Sequence, residues 1–170
     1  MLLCKKAVLV EGDSDELIFQ RAYMDTHGGR LPIEDSIDVI SVKLTFKRFL
    51  DIAVRIKQPV GVITDNDGDY ANKITKKYKD YVGKDCVKIF ADDRNALNTL
   101  EPQFVDANKT DLMDLYNVIG IDGKTHNTVK KVSDYMVVNK TTWALRVFES
   151  NITLLYPEYI NNAVAWCDEK

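Results

Sequence analysis

Short apolar runs alternate with amphipathic stretches through the first half of the chain. Four runs rich in Val and Ile predict buried strands at 6–11, 37–42, 60–64 and 86–90. Apolar positions at helical spacing predict three helices between them, from Ser14 or Asp15 to about 26, at 45–57 and at about 69–81. Because repeated βα units require right-handed crossovers, the pattern predicts an α/β fold with a four-stranded, mostly parallel sheet flanked by helices.

The second half of the chain lacks this alternation. Thr99 and Pro102 are typical of entry into a helix, since threonine caps helices and proline is tolerated in the first turn. Further helical segments are predicted near 110–119, 125–138, 142–150 and 158–167. We therefore expect an α/β core at 5–98, followed by a helical extension at 99–170.

Composition is that of a globular protein with one substantial core. Of 170 residues, 45% are hydrophobic and 29% are charged. The net charge of −3 argues against a protein that coats nucleic acid through bulk charge. A local lysine run is either a face for a phosphate backbone or a solvated helix face. The run consists of Lys73, Lys76, Lys77, Lys79, Lys84 and Lys88.

Cysteine usage and hydropathy bear on the compartment. The three cysteines are far apart and form no Cys-x-x-Cys pair, which is typical of a reduced cytosolic protein. Cys4 and Cys86 lie in or beside apolar runs, so we expect buried packing for both. Neither a signal peptide nor an apolar run of membrane-spanning length is present in the sequence, and we expect a cytoplasmic protein without membrane contact.

Carboxylates cluster where two of the predicted strands end. Glu11 and Asp15 follow the first strand, and Asp65 and Asp67 follow the third. The carboxyl ends of parallel strands form the edge at which α/β proteins bind ligands. Several carboxylates at one edge repel each other unless a hard cation such as Mg²⁺ neutralises them, so the pattern predicts a divalent-metal site and phosphate chemistry. Other polar residues in these clusters are typical helix-capping groups: Asp13, Ser14 and Asp69.

These clusters resemble a known domain. Glu11-Gly12-x-x-Asp15 after the first strand, with Asp65-x-Asp67-Gly68 after the third, resembles the Toprim domain of topoisomerases, bacterial primases and several nucleases. Two later segments are similar to the branch formed by the overcoming-lysogenization-defect (OLD) nucleases. They are Thr99-Leu100-Glu101, and Lys140 ahead of Trp143-Ala144-Leu145.

The resemblance implies a Toprim (Rossmann-like) fold and an endonuclease that hydrolyses DNA phosphodiesters with two metal ions, in phage defence or DNA repair. The implied ions are Mg²⁺ or Mn²⁺, and the implied metal ligands are Glu11, Asp15, Asp65, Asp67 and Glu101. The implied catalytic residues are Glu11, Asp65, Asp67 and Lys140. The family's amino-terminal ABC-type ATPase is not in this sequence, so we expect either a carboxyl-terminal fragment or a stand-alone relative, with an ABC-type ATPase domain or subunit as a partner. We also expect a homodimer where both strands are cut.

Other functions remain open at this point. The same carboxylates would serve a Toprim ribonuclease acting on structured RNA, and the fold also occurs in DNA-binding or assembly modules without chemistry. A phosphatase or response regulator with Asp65 as nucleophile is a further alternative, although it leaves Glu11 and Asp15 unexplained. Each acid also has an ordinary structural role in a turn or a first helical turn. Trp143 and Trp166 are expected to be core aromatics.

Overall fold

The computed structural model describes residues 4–169, and its centre is a four-stranded parallel sheet. The strands are β1 (Lys6–Val10), β2 (Ile37–Ser41), β3 (Val60–Ile63) and β4 (Val87–Phe90). Their order is β2-β1-β3-β4, and every neighbouring pair is parallel. The predicted α/β fold is confirmed, and within the described residues the sheet is entirely parallel.

Seven α-helices connect and cover the strands in the described residues. They are α1 (Asp13–Thr26), α2 (Phe46–Ile56), α3 (Leu100–Ala107), α4 (Leu112–Ile119), α5 (Val129–Val138), α6 (Lys140–Glu149) and α7 (Glu158–Asp168). A short 3₁₀ helix at Pro32–Asp35 precedes β2 and was not predicted. The first helix after the 120–124 turn begins four residues later than predicted, because Thr128 caps it by accepting a hydrogen bond from the Lys131 amide.

The lysine-rich helix predicted at 69–81 is not a single regular α-helix. In the structure these residues form a π-helical segment at Ala71–Lys76 and a separate 3₁₀ turn at Lys79–Tyr81. Asp69 opens the segment as expected of a capping residue, since its carboxylate accepts a hydrogen bond from the Asn72 amide at 3.2 Å. Ile74, Tyr78 and Tyr81 of this segment pack on the sheet, and all three are buried.

The apolar core lies on both faces of the sheet. Strand residues alternate between the faces, so Ala7 and Leu9 pack with α2 and the 71–81 segment, while Val8 and Val10 pack with α1 and the carboxyl-terminal helices. Gly61 allows α7 to approach β3 closely, because a Cβ atom there would lie 2.9 Å from the Trp166 ring. Trp143 and Trp166 are buried, as expected of core aromatics.

Strand order places a crevice between β1 and β3. The chain moves from β1 to β2 on one side and then crosses to β3 on the other, and this reversal is where open α/β sheets bind ligands. Leu9 pairs with Val62, so Glu11 and Thr64 emerge side by side from the carboxyl ends of the two strands. Sheet topology therefore brings the two acidic clusters to one place.

Helices α3 to α7 share one core cluster with α1 on a single face of the sheet. The division into parts at 5–98 and 99–170 stays a prediction, and residue 170 lies outside the described residues. In residues 4–169 no helix has both the length and the apolar character needed to cross a membrane. In the same part of the chain no cysteine forms a disulfide, and Cys4 and Cys86 are partly rather than fully buried.

Candidate active site

Five carboxylates and one lysine line a cavity of about 270 Å³ at the carboxyl end of the sheet, and four of the carboxylates are predicted site residues. Glu11 directly follows β1, Asp65 follows β3, and Asp15 and Glu101 lie in the first turns of α1 and α3. The full lining consists of Glu11, Gly12, Asp13, Ser14, Asp15, Asp65, Leu100, Glu101, Lys140 and Thr141. Elements from both halves of the chain therefore build the site.

Glu11 is held in place by hydrogen bonds from the neighbouring strand. The Thr64 hydroxyl donates to Glu11 Oε1 at 2.5 Å, and the Asp65 amide donates to the same oxygen at 3.3 Å. Thr64 is buried, so water does not compete for this contact. One carboxylate oxygen of Glu11 therefore accepts two hydrogen bonds from the residues that follow β3.

Asp15 combines a structural role with a place in the cavity. Its Oδ2 atom accepts a hydrogen bond from the Gly12 amide at 3.1 Å, so Asp15, rather than Asp13 or Ser14, supplies the capping carboxylate of α1. Burial, followed by the proximity of Glu11, raises the pKa of Asp15 to about 7. The ionised form of the Asp15 carboxyl is therefore disfavoured in the folded protein.

Asp65 has the most strongly raised carboxyl pKa of this charge cluster. Burial raises the pKa of its carboxyl to about 9, with Asp15, Glu11 and Glu101 acting in the same direction. Its Oδ1 atom is buried and has no hydrogen-bond partner within residues 4–169. A buried oxygen without a partner is costly, which points to a group that binds there.

Glu101 and Lys140 form an ion pair across the cavity. The Lys140 Nζ atom lies 3.2 Å from Glu101 Oε1, and the Glu101 side chain is only 2% exposed. Burial alone would lower the pKa of Lys140, but Glu101, Asp65 and Asp15 outweigh it and raise that pKa. The second oxygen of Glu101 is buried and finds no partner in the described part of the chain.

Asp67 lies outside this cavity. Its carboxylate is half exposed and pairs with Lys73 at 3.0 Å, and its backbone adopts a left-handed φ of 49°. Its amide donates to the Asn98 carbonyl at 3.0 Å. The structure thus brings together five of the six predicted site residues and directs Asp67 toward the lysine-rich segment.

Asn66 supports the loop that carries Asp65, a role that the sequence did not identify. It is fully buried, and its side-chain amide donates to the carbonyls of Asp92, Arg94 and Leu97 at 2.8 to 3.2 Å. Its Oδ1 atom accepts from the Gly68 amide at 2.8 Å. Asn66 therefore fastens the loop that carries Asp65 to the loop that follows β4.

The donor set suits a hard divalent cation. Its side chains offer carboxylate oxygens, which Mg²⁺ and Mn²⁺ prefer, and contain neither the thiolates nor the imidazoles typical of zinc sites. Two buried oxygens that have no hydrogen-bond partner among residues 4–169, on Asp65 and Glu101, are available to such an ion. In the same residues no three acidic, His or Cys side chains lie close enough together to hold an ion as they stand.

Comparison with known proteins identifies the fold around this site. Residues 2–67 match the family model described as overcoming lysogenization defect protein-like, TOPRIM domain, and this segment includes Glu11, Asp15, Asp65 and Asp67. A search of curated proteins gives no match.

Solved structures resemble the whole chain. The carboxyl-terminal region of the Burkholderia pseudomallei OLD protein has a TM-score of 0.71 and 18% identity, covering 96% of this chain and 96% of that one. The corresponding region of the Xanthomonas campestris pv. campestris OLD protein has a TM-score of 0.64 and 17% identity, covering 98% and 96%. At this identity the structural likeness shows the fold. The predicted resemblance to a Toprim domain, most like the OLD carboxyl-terminal domain, is confirmed.

Proposed function

Because this chain carries an OLD-like Toprim domain, we propose that it is a metal-dependent endonuclease that hydrolyses DNA phosphodiester bonds by a two-metal mechanism. The main support for the proposal is the state of two carboxylates in the cavity. Within one cavity, Asp65 and Glu101 each present a buried carboxylate oxygen that has no hydrogen-bond partner in the described part of the chain, beside Glu11 and Asp15. An ordinary turn or helix cap would not bury unpaired carboxylate oxygens next to further acids.

In this proposal Glu11, Asp15, Asp65 and Glu101 would hold Mg²⁺ or Mn²⁺. When bound, two such ions would supply activation of water and charge neutralisation at the phosphate and the leaving oxygen. Thr64 and the Asp65 amide keep Glu11 oriented toward the cavity. Lys140 keeps its positive charge because the surrounding acids raise its pKa, so its Nζ is placed to stabilise the developing charge on the scissile phosphate.

We also propose Asp67 as a catalytic residue and metal ligand, provided that its side chain changes position. Since its carboxylate pairs with Lys73 outside the cavity, its participation requires that the side chain leave that lysine and turn inward. A phosphate group that approaches Lys73 offers the lysine a competing anion, which would release Asp67.

The proposed setting is the cytoplasm, in phage defence or DNA repair, beside an ABC-type ATPase domain or subunit. A homodimer is proposed for double-strand cleavage, because two active sites are then needed. These proposals follow from the Toprim resemblance.

Nicking of supercoiled plasmid tests the reaction. The purified chain is incubated with Mg²⁺, Mn²⁺ or EDTA, beside Asp65→Asn and Glu11→Gln variants. We expect cleavage that depends on the cation and falls at least about a hundredfold in both variants, since a metal ligand contributes several kcal/mol to catalysis. The Asp114→Asn variant changes an exposed acid on α4 and should cleave normally.

Two further results would change the assignment. Cleavage that persists in Asp65→Asn would show that the activity comes from another site or another protein. A structured RNA hairpin in parallel distinguishes the alternative substrate, because efficient cutting of the hairpin and not the plasmid would make the protein a Toprim ribonuclease. Binding of plasmid without cleavage in any cation would favour the assembly-module alternative.

A further inference from the structure

The charge of this protein is separated along the chain. Residues 43–84 contain 10 Lys and Arg against five Asp and Glu, whereas the rest of the chain contains 13 against 21. The overall charge of −3 therefore hides a segment of charge +5 inside a chain whose remainder carries −8. A partner with strong charge would meet very different surfaces on different sides of the molecule.

Most cations of the positive segment belong to one layer of the fold. Helix α2 and the 71–81 segment both pack on the same face of the sheet, through Leu50 and Ile74 among others. They also contact each other, because the Tyr81 hydroxyl donates to Asp51 on α2 at 2.7 Å. We call the outer surface of α2 and residues 69–84 the basic layer.

Cations of the basic layer face solvent around a groove between its two parts. The groove has a volume of about 510 Å³, and Lys47, Arg55 and Lys84 line it together with Asp51 and Asp80. Lys47 and Lys84 have no acidic partner within 4.0 Å in residues 4–169, while Asp51 is occupied by the Tyr81 hydroxyl. Uncompensated surface lysines are suited to phosphate groups, which they bind without reading sequence.

The basic layer reaches the candidate active site at one point. Lys73, in its π-helical part, contacts Asp67, and Asp67 lies two residues after Asp65, which lines the cavity. On the other face of the sheet the covering helices belong to the remainder of the chain, whose net charge is negative. A polyanion is therefore attracted more strongly to the side of the active site that carries the positive segment.

From this arrangement we propose that the basic layer binds the phosphate backbone of duplex DNA and leads it past Lys73 to the cavity. The inference rests on the proposed nuclease function and adds the surface that holds the substrate. Binding is electrostatic and independent of sequence. It falls steeply with salt, because each neutralised phosphate releases counterions.

A variant in which three lysines of the basic layer become uncharged tests the inference. The variant Lys47→Gln/Lys76→Gln/Lys84→Gln removes three exposed cations of the basic layer and leaves the cavity unchanged. Its matched control, Lys124→Gln/Lys130→Gln/Lys131→Gln, removes three exposed lysines at and before α5, on the other face of the sheet. Binding of a fluorescein-labelled 20-base-pair duplex is measured by anisotropy in EDTA between 50 and 200 mM KCl, where no cleavage occurs.

We expect the basic-layer variant to bind about tenfold or more weakly at low salt, with its log–log salt slope reduced by about 0.9 for each phosphate that the protein no longer neutralises. The control should keep nearly the affinity and slope of the unaltered protein. Equal weakening of both variants would overturn the inference, since it would reflect net charge alone. Stronger binding of an RNA duplex, abolished in the same variant, would assign the surface to RNA instead.

The outcome separates this inference from the proposed reaction. Anisotropy in EDTA reports binding alone, and plasmid nicking in Mg²⁺ reports chemistry. If nicking fails while the basic-layer variant still loses affinity, the surface assignment stands without the nuclease. If nicking succeeds and the variant binds and cuts normally, the nuclease function is supported, and the basic layer is not the surface that binds its substrate.

Discussion

Two uncharged side chains position the carboxylates of the site. Thr64 donates to Glu11 across two strands, and Asn66 holds three carbonyls of the loop after β4. Neither could be assigned from sequence, because a threonine that ends a strand and an asparagine in an Asp-rich turn are ordinary there. Their roles depend on the adjacency of β1, β3 and β4, which the strand order determines.

Replacing Thr64 by valine tests this positioning role. Valine keeps the shape of the buried side chain but removes the hydroxyl that donates to Glu11 Oε1. A hydrogen bond to a charged group is worth about 1.5–3 kcal/mol, so we expect Mn²⁺ to bind about tenfold or more weakly. Calorimetric titration with Mn²⁺ measures the affinity, and far-UV circular dichroism checks that the fold is retained.

Serine supplies the matched control at the same position. Thr64→Ser keeps the hydroxyl and should restore most of the Mn²⁺ affinity, although it removes a buried methyl group. If serine and valine weakened the affinity equally, packing rather than the hydrogen bond would be responsible, and Thr64 would not be a positioning residue.

The acidic site itself was largely predictable. Glu11 and Asp65 were identified because each follows an apolar strand, and sheet topology does bring them together. Asp67 shows the limit of that reasoning. Alternate residues of an extended strand share a face, but the left-handed backbone of Asp67 breaks the alternation and turns its carboxylate to Lys73. Local spacing cannot reveal such a turn.

Among helices and strands, prediction succeeded where hydrophobic periodicity dominates. All four strands and helices α1 and α2 agree with their predicted positions within a few residues. The segment at 69–81 has helical spacing, with Tyr70, Ile74 and Tyr78 four residues apart, yet it folds as a π-helical segment and a separate 3₁₀ turn. Apolar spacing alone does not distinguish these from a regular α-helix. The contacts of Tyr78 and Tyr81 with α2 are tertiary and could not be read from local sequence.

Docking of α7 onto the sheet depends on the glycine in the middle of β3. A Cβ atom at Gly61 would lie 2.9 Å from the Trp166 ring and 3.2 Å from the Phe90 ring, both part of the packed interior. We expect Gly61→Ala to lower the free energy of unfolding by about 1–3 kcal/mol, the usual cost of overpacking. Urea denaturation followed by tryptophan fluorescence measures it.

A second substitution tests the cause. In Gly61→Ala/Trp166→Phe the smaller ring leaves space for the new methyl group, so the double variant should lose less stability than the two single losses added together. Strict additivity would show that the methyl group does not meet Trp166. Mn²⁺ affinity should be unchanged in Gly61→Ala, because the site lies at the carboxyl end of the sheet.

For the protein as a whole, the acidic cavity is a source of instability that the proposed cation would relieve. Burial first, and the other acids second, raise the pKa of Asp15 from 3.8 to about 7 and that of Asp65 from 3.8 to about 9. The folded protein therefore binds more protons than the unfolded chain from about pH 4 up to these values. Stability from these groups is fully present at low pH and is lost as the pH rises through the window.

We expect the metal-free protein to lose stability between pH 5.5 and 8.5, by up to about 1.4 kcal/mol per pH unit for each of these carboxyls. Millimolar Mg²⁺ at pH 8 should restore it, because the cation binds the ionised, folded site. Thermal unfolding in EDTA and in Mg²⁺ measures both effects.

The variant Asp65→Asn tests whether this carboxyl causes the pH dependence, because it removes one titrating group. It should flatten the pH dependence, raise the melting temperature at pH 8 in EDTA and weaken the response to Mg²⁺. The control variant Asp114→Asn should behave like the unaltered protein. A difference between the unaltered protein and Asp65→Asn that does not change with pH would contradict the charge crowding inferred for the cavity.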